Sequence, residues 1–544
     1  MTTPTPAALD ALFPSPDAIP QAHRLPEPIH QRSHLLGGEI QTWSGAVKTV
    51  LSPICVRDAG GALSQCVIGS YPVMGEAESD AALDAAVAAY NQGRGEWPTM
   101  RVAERIACML DFVRQMVAQR SRVVNLIMWE IGKSHADSAK EFDRTVEYIS
   151  ATIEALKTLD NTSSRFEVVE GTIGQIRRTP LGVVLCMGPY NYPLNETFAT
   201  LIPALLMGNT VVFKPPQYGT LLFEPLLEAF RSAFPPGVIN TIYAPGAVVV
   251  PRMLASGKVD VLALIGSSKV ADHLKKQHPK SHRLRAVLGL DAKNAAIVLP
   301  DADLDLAVKE CLLGTLSFNG QRCTALKMLI VHRSIVDAFL ERFTAALSQL
   351  KVGMPWESGV NITPLPGLHR TAYMTEAIDD AVAQGARVVN AGGGSFCQTL
   401  FYPAVIYPVS EGMKLYREEQ FGPIIPVMPF DDVEEALEYI ISSDHGQQVS
   451  VFGTDPAQVG ALIDPLVNQV CRVNINCQCQ RGPDVFPFAG RKDSAEGTLS
   501  VADALRAFSI RSMVAAKQSD PSKALLGAIV REHHSKFVNT DFIL

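Results

Sequence analysis

The chain has no apolar run approaching the ~18 residues that a membrane-crossing helix needs, and no basic-then-apolar layout at its start of the kind that directs secretion. Neither a membrane partner nor export is expected, and the expected compartment is the cytoplasm. Strong charge is also missing. The 48 Lys and Arg against 55 Asp and Glu leave a formal −7 over 544 residues, which argues against a nucleic-acid partner and points to small molecules. The ten cysteines are scattered rather than set out as a disulfide framework, so free thiols are expected. Cys471, Cys477 and Cys479 lack the paired C-x-x-C spacing of a structural zinc site, and His273, His278 and His282 sit among lysines, so no metal is expected. No G-x-G-x-x-G follows any strand-like segment, which removes the ordinary dinucleotide fingerprint.

At this length two or three domains are expected rather than one core. Residues 1–40 are proline-rich with little periodicity and read as an arm lying on the surface or partly disordered. Helical periodicity marks Ser79–Tyr90, Arg101–Arg120 (Val102, Ile106, Met109, Val113 and Val117 on one face) and roughly Asp137–Leu159. Phe166–Arg178, with Gly171 and Gly174, suits a protruding β-hairpin. Short apolar strands then alternate with helix-length segments: Leu181–Met187, Thr210–Lys214, Val238–Tyr243, Val259–Ile265 and Leu284–Leu290. That alternation predicts an α/β fold built on an open, Rossmann-like parallel sheet with helices on both faces, which binds ligands at the carboxyl ends of its strands. Strands at Ala295–Leu299 and Leu326–Val331, with later helices, predict a second α/β domain, and residues 517–544 read as a polar tail.

Several strand ends carry residues capable of chemistry. Asn191, in the turn after Leu181–Met187, can donate its amide to a developing oxyanion or simply serve the turn. Lys214 offers an ammonium to ribose hydroxyls or a phosphate. Ser267 opens a helix whose free N–H groups and dipole suit a pyrophosphate, or is only an N-cap. Cys323 lies at a helix-to-strand junction, where Arg322 is expected to favour the thiolate, the reactive form of a nucleophilic cysteine, or it is simply a buried structural cysteine.

Taken together, Gly320-Gln321-Arg322-Cys323-Thr324, Pro189-Tyr190-Asn191-Tyr192-Pro193 and Glu419-Gln420-Phe421-Gly422-Pro423 resemble, in order, the cysteine, oxyanion-asparagine and nicotinamide-ribose motifs of the aldehyde dehydrogenase superfamily, over about residues 45–515. The resemblance implies a dinucleotide-binding domain (41–164 and 181–288), a catalytic domain (289–499), and a small β oligomerisation element (165–180 and 500–517) that joins a homodimer or homotetramer. It implies Cys323 as nucleophile and Asn191 with the Cys323 N–H as the oxyanion hole. Lys214, Ser267, Glu419 and Phe421 would contact the dinucleotide, and Gly246 would lie near its adenine end. NAD-preferring members commonly carry a glutamate where this chain has Gln217, so NADP is expected, with NAD possible.

Within the superfamily the sequence is most similar to the non-phosphorylating, NADP-dependent glyceraldehyde-3-phosphate dehydrogenases, whose arginine-rich phosphate grip would correspond to Arg144, Tyr192, Arg322 and Arg481. The expected substrate is accordingly a phosphorylated aldehyde. One position departs: Gly289 stands where the family usually has its general-base glutamate, and Asp291, two residues on, is a possible replacement. The departure keeps two other readings open, an aldehyde dehydrogenase that acts on another anionic aldehyde or releases acyl-CoA, and a catalytically silent dinucleotide-binding protein.

Overall fold

The computed structural model describes residues 4–25 and 27–541. Aliphatic runs such as Val183–Met187 and Val261–Ile265 are buried along almost their whole length, which suits interior strands covered on both faces. They belong to a six-stranded sheet in the order Ile239–Thr241, Thr210–Lys214, Val183–Met187, Val261–Ile265, Arg285–Gly289, Ala495–Glu496. The first five run parallel and the last, contributed from far along the chain, closes the edge antiparallel. Consecutive strands run outward from Val183–Met187 in one direction and, from Val261–Ile265, in the other. The reversal leaves a crevice at the carboxyl ends of these two neighbours.

A second sheet of seven strands has the order Arg387–Val388, Ala404–Tyr407, Ile424–Phe430, Met328–His332, Ala295–Val298, Gln448–Phe452, Arg472–Ile475, with only the first pair antiparallel. The helix Leu304–Leu316 joins Ala295–Val298 to Met328–His332, and Cys323 lies in that connection.

A small sheet pairs Phe166–Val169 with Thr172–Pro180 and Thr172–Pro180 with Ser509–Lys517, all antiparallel. Glu170 and Gly171 turn the hairpin at φ 47° and 75°, a pair of left-handed conformations that match the strand twist. Residues expected to be strand-like from 500 are partly helical, because Val501, Ala504 and Leu505 bury one face of the helix Val501–Ala507. The polar tail forms the helix Asp520–Arg531 and then folds back, where Gln175 Nε2 donates to the Asn539 carbonyl at 2.6 Å and Arg177 Nη2 to Asn539 Oδ1 at 2.9 Å.

The arm does not lie loosely on the surface. Leu9, Phe13, Ile19 and Leu35 are buried in the main core, and Arg57 pairs with Asp10. Single apolar residues spaced by prolines fill the core one at a time, which leaves no period to detect. Residues 1–3 and 26 of the arm and 542–544 of the tail lie outside the described residues. In the helix Val102–Ala118 the buried stripe is Ile106, Met109, Phe112 and Met116, while Val117 is exposed. A second helix, Arg120–Ile131, follows directly and was not anticipated.

Candidate active site

The Asn191 loop follows the central strand Val183–Met187 and leads into the wholly buried helix Asn195–Leu206. A buried ion pair that sequence reasoning missed anchors it. Lys133 Nζ donates to Glu141 and to the Asn191 carbonyl (2.7 Å), and Glu141 Oε1 accepts from the N–H groups of Leu194 (3.0 Å) and Asn195 (3.2 Å). The Lys133 ammonium also lies 3.5 Å from the Tyr192 ring centroid and 4.4 Å from that of Phe318. With its desolvated charge satisfied on several sides, the pair can fix the loop without leaving an orphan ion. The only local sequence signal was a lysine and a glutamate eight residues apart at the start of a helix.

Across from this loop, Phe318, Asn319 and Gly320 are all left-handed, at φ 49°, 54° and 72°. Such a run is costly for non-glycine residues and persists only when held. Asn319 holds it: its amide donates to the Thr363 carbonyl (3.0 Å) and Oγ1 (3.1 Å), and its Oδ1 accepts from the Thr363 N–H (3.0 Å). At Gly320 a side chain would press on the Gly422 and Thr315 carbonyls, 2.7 and 2.8 Å from a Cβ. The turn delivers Gln321, whose carbonyl accepts from Asn191 Nδ2 at 2.8 Å, and then Cys323, whose carbonyl accepts from Asn294 Nδ2 at 2.8 Å. Asn294 ties the turn to both neighbouring strands, since its Oδ1 also accepts from the Gln448 N–H.

Burial pushes the Cys323 thiol up to about 11, with Glu196 and Glu419 raising it further while Arg481 and Lys327 oppose them. The cations acting on the sulfur are therefore not the adjacent Arg322, as expected from sequence. Its guanidinium turns away, with Nη2 donating to Gln478 Oε1 at 3.3 Å. Lys327, by contrast, is buried between Glu419 Oε1 (2.7 Å) and the Phe421 ring (4.2 Å to its centroid).

The three arginines of the expected grip do not stand as bare cations. Arg144 makes a two-pronged pair with Asp484 (Nη2–Oδ1 2.8 Å, Nε–Oδ2 3.2 Å). Arg481 is buried, with Nε 3.5 Å from the same carboxylate and 3.2 Å from Glu196 Oε1, its guanidinium over the Phe488 ring and Nη2 donating to the Leu499 carbonyl at 3.1 Å. Its Nε and Nη1 carry no hydrogen bond, and neither does Arg322 Nε. Tyr192 packs edge-on against Phe318. Glu196, Asp484 and Phe488 are members of this cluster that sequence reasoning did not single out.

At the far end of the crevice, Lys214, Gln217 and Gly246 line one cavity together with Lys48, a residue also missed. Among the described residues no carboxylate lines it. Burial, then Lys48, depresses Lys214 to about 8, and among the described residues its ammonium donates only to the Pro215 carbonyl. A desolvated cation without a counter-charge suits an anionic group of a dinucleotide. Ser267 caps the helix Ser268–Lys275 by accepting from Val270 N–H, but the Ser268 N–H beside it is already taken by Asp291 Oδ2 at 2.8 Å. That contact removes Asp291 as the replacement base: its carboxylate is spent on the helix start, not on the thiol. Position 289 offers no base either, since it is glycine, and a Cβ there would lie 3.3 Å from Leu499 and 3.4 Å from Ile265.

A strained turn carrying a cysteine opposite an asparagine amide lies beside the strand-end crevice of a doubly wound sheet. The chain belongs to the aldehyde dehydrogenase family, whose sequence model, described as "Aldehyde dehydrogenase family", matches residues 61–514. It is 34% identical to an NADP-dependent glyceraldehyde-3-phosphate dehydrogenase of Streptococcus equinus over 83% of this chain and 92% of that one. A protein of the same name from Pisum sativum is 30% identical over 71% and 77% respectively. The crystal structure of NADP-dependent glyceraldehyde-3-phosphate dehydrogenase from Bacillus halodurans C-125 complexed with NADP superposes with a TM-score of 0.80 at 29% identity, covering 90% of this chain and all of that one. Among the described residues no helix is long and apolar enough to cross a membrane.

Proposed function

We propose that this aldehyde dehydrogenase oxidises glyceraldehyde 3-phosphate to 3-phosphoglycerate with NADP, through a thioester on Cys323 and without inorganic phosphate. The observation that carries the reading is the meeting of Arg144 and Arg481 on one carboxylate, Asp484, with three guanidinium nitrogens of Arg322 and Arg481 buried and unsatisfied among the described residues. Unsatisfied charged donors are costly unless a ligand meets them, and a phosphate dianion does. Two relatives named for this activity support it.

In the reaction the Cys323 sulfur adds to the aldehyde carbon, and the second amide hydrogen of Asn191, the first being held by Gln321, lies open to the oxyanion. Bound NADP supplies the hydride acceptor, and water then cleaves the thioester. The cavity of Lys48, Lys214 and Gln217 favours the 2′-phosphate because it has two cations and no carboxylate to repel one. Glu419 and Phe421, set by Lys327, are the residues for the nicotinamide end.

The glycine at 289, which carries no side chain to activate water, favours one second reading, transfer of the acyl group to coenzyme A in place of water. The half-exposed apolar side chains Val168, Val169, Ile510 and Met513 on the small sheet favour a homo-oligomer joined there. The test is a panel of phosphorylated and uncharged aldehydes run with NADP and NAD, with and without coenzyme A, identifying the product. Equal kcat/KM on phosphorylated and uncharged aldehydes of one length would refute the substrate assignment.

A further inference from the structure

Hydrolysis of a thioester needs a group that takes a proton from water as its oxygen adds to the acyl carbon. Position 289 offers none, and the carboxylates around the thiol can be taken in turn. Asp291 is bound by the Ser268 N–H and hydroxyl. Glu141 is held by Lys133 and two backbone N–H groups. Asp484 is clasped by Arg144, and Glu419 accepts from Lys327.

Glu196 is different. It is the second residue of the helix Asn195–Leu206, its N–H donates to the Tyr192 carbonyl at 3.1 Å, and it therefore sits on the same short segment as the oxyanion asparagine. Its side chain is only 8% exposed, yet its carboxylate accepts no hydrogen bond among the described residues. Arg481 Nε lies 3.2 Å from Oε1 without hydrogen-bond alignment, and that nitrogen is itself unpartnered. The pair leaves the lone pairs of the carboxylate open. Of the charged groups acting on the Cys323 sulfur, Glu196 has the largest effect, and it is an unfavourable one for the thiolate. A carboxylate there hinders the first chemical step, so its use lies in the second, when the sulfur is acylated and neutral.

We propose that Glu196 is the carboxylate that activates water on the Cys323 thioester, with Arg481 as its positioning residue. This rests on the reading of Cys323 as nucleophile. Glu196 accepts a proton from water as the water oxygen bonds to the acyl carbon. The tetrahedral intermediate then expels Cys323 Sγ, which takes that proton back, and the carboxylic acid leaves with the enzyme restored.

The step can be isolated with p-nitrophenyl acetate, which acylates a thiol with loss of p-nitrophenolate and needs no cofactor. The full-length wild type should release a burst of one p-nitrophenolate per subunit and then turn over. Glu196→Gln, nearly isosteric, should keep the burst while its steady-state rate falls at least about 10²-fold, the scale for a lost general base, and acetyl-Cys323 should accumulate in intact-mass spectra. Glu196→Asp, which retains a carboxylate, should recover part of the steady-state rate. A role confined to placing Arg481 would instead raise KM for anionic aldehydes and leave the ratio of burst to turnover unchanged, which overturns the proposal. Wild-type turnover in Glu196→Gln without acetyl-enzyme overturns it equally. Absence of any Cys323 adduct in the wild type would be a separate failure, that of the nucleophile assignment, and would carry the inference down with it.

Discussion

The two ends of the crevice hold cations on opposite terms. At the Lys214 end, two lysines share a cavity without a carboxylate, and burial drags one of them down to about 8. At the Arg481 end, two guanidiniums, those of Arg144 and Arg481, are set among Asp484 and Glu196, which orient them and cancel much of their charge. A lysine left unpaired is a mobile point charge that waits for its anion, whereas arginines braced by carboxylates are pre-positioned to aim planar donors at a ligand. The first arrangement maximises attraction and the second geometry. The second has a further consequence, since a brace such as Glu196 is itself a charged group beside the reacting sulfur.

The most severe way to separate the two ends is Cys323→Ser. Aldehyde oxidation should fall below a few per cent of wild type while NADP binding, followed by fluorescence titration, stays nearly intact. Substantial residual oxidation would remove Cys323 as the nucleophile. Asn191→Ala comes next, with kcat lowered by roughly 10²–10³, the usual cost of an oxyanion donor. An unchanged kcat would mean that the amide serves only its contact with Gln321.

Within the arginine cluster, Arg481→Ala should cost ~1.5–3 kcal/mol in kcat/KM toward glyceraldehyde 3-phosphate, the range for a charge-assisted hydrogen bond. An uncharged aldehyde of similar length should lose less, by whatever Arg481 contributes through Glu196. Equal losses on both substrates would reduce the cluster to scaffolding. At the lysine end, Gln217→Glu should shift the kcat/KM ratio from NADP toward NAD by bringing a carboxylate to the 2′-phosphate, and an unmoved ratio would displace the phosphate from that cavity.

The smallest effect is on pH. Because burial lowers Lys214, it is fully charged only well below about 8, so NADP affinity should weaken as pH rises through about 8. Bound phosphate should move that decline upward. A Kd flat between pH 7 and 9 would leave Lys214 without a phosphate contact.

Much of this site was legible because its parts sit at strand ends and in short contiguous motifs. The Asn191 loop, the Cys323 turn and the two αβ sheets all follow from apolar strands punctuated by Gly, Pro and Asn. The errors share one cause. Arg322 adjoins Cys323 in sequence but points at Gln478, because adjacent residues on a turn diverge in direction. Asp291 is close to the family's base position in sequence, yet a helix start with an open N–H competes for its carboxylate. The arm's burial was invisible because Leu9 and Phe13 satisfy no period.

The sequence alone determined the alternation of strands and helices that builds the two sheets, the positions of Cys323 and Asn191 in their motifs and the absence of a glutamate at 289, since each depends on local pattern or residue identity. The tertiary structure alone decided which charges meet. Arg144 and Asp484, 340 residues apart, form one pair, and Glu196 faces Arg481 from a different element. Coulomb interactions act through space and depend on desolvation, so which carboxylate is bound and which stays open is decided only when the chain has packed.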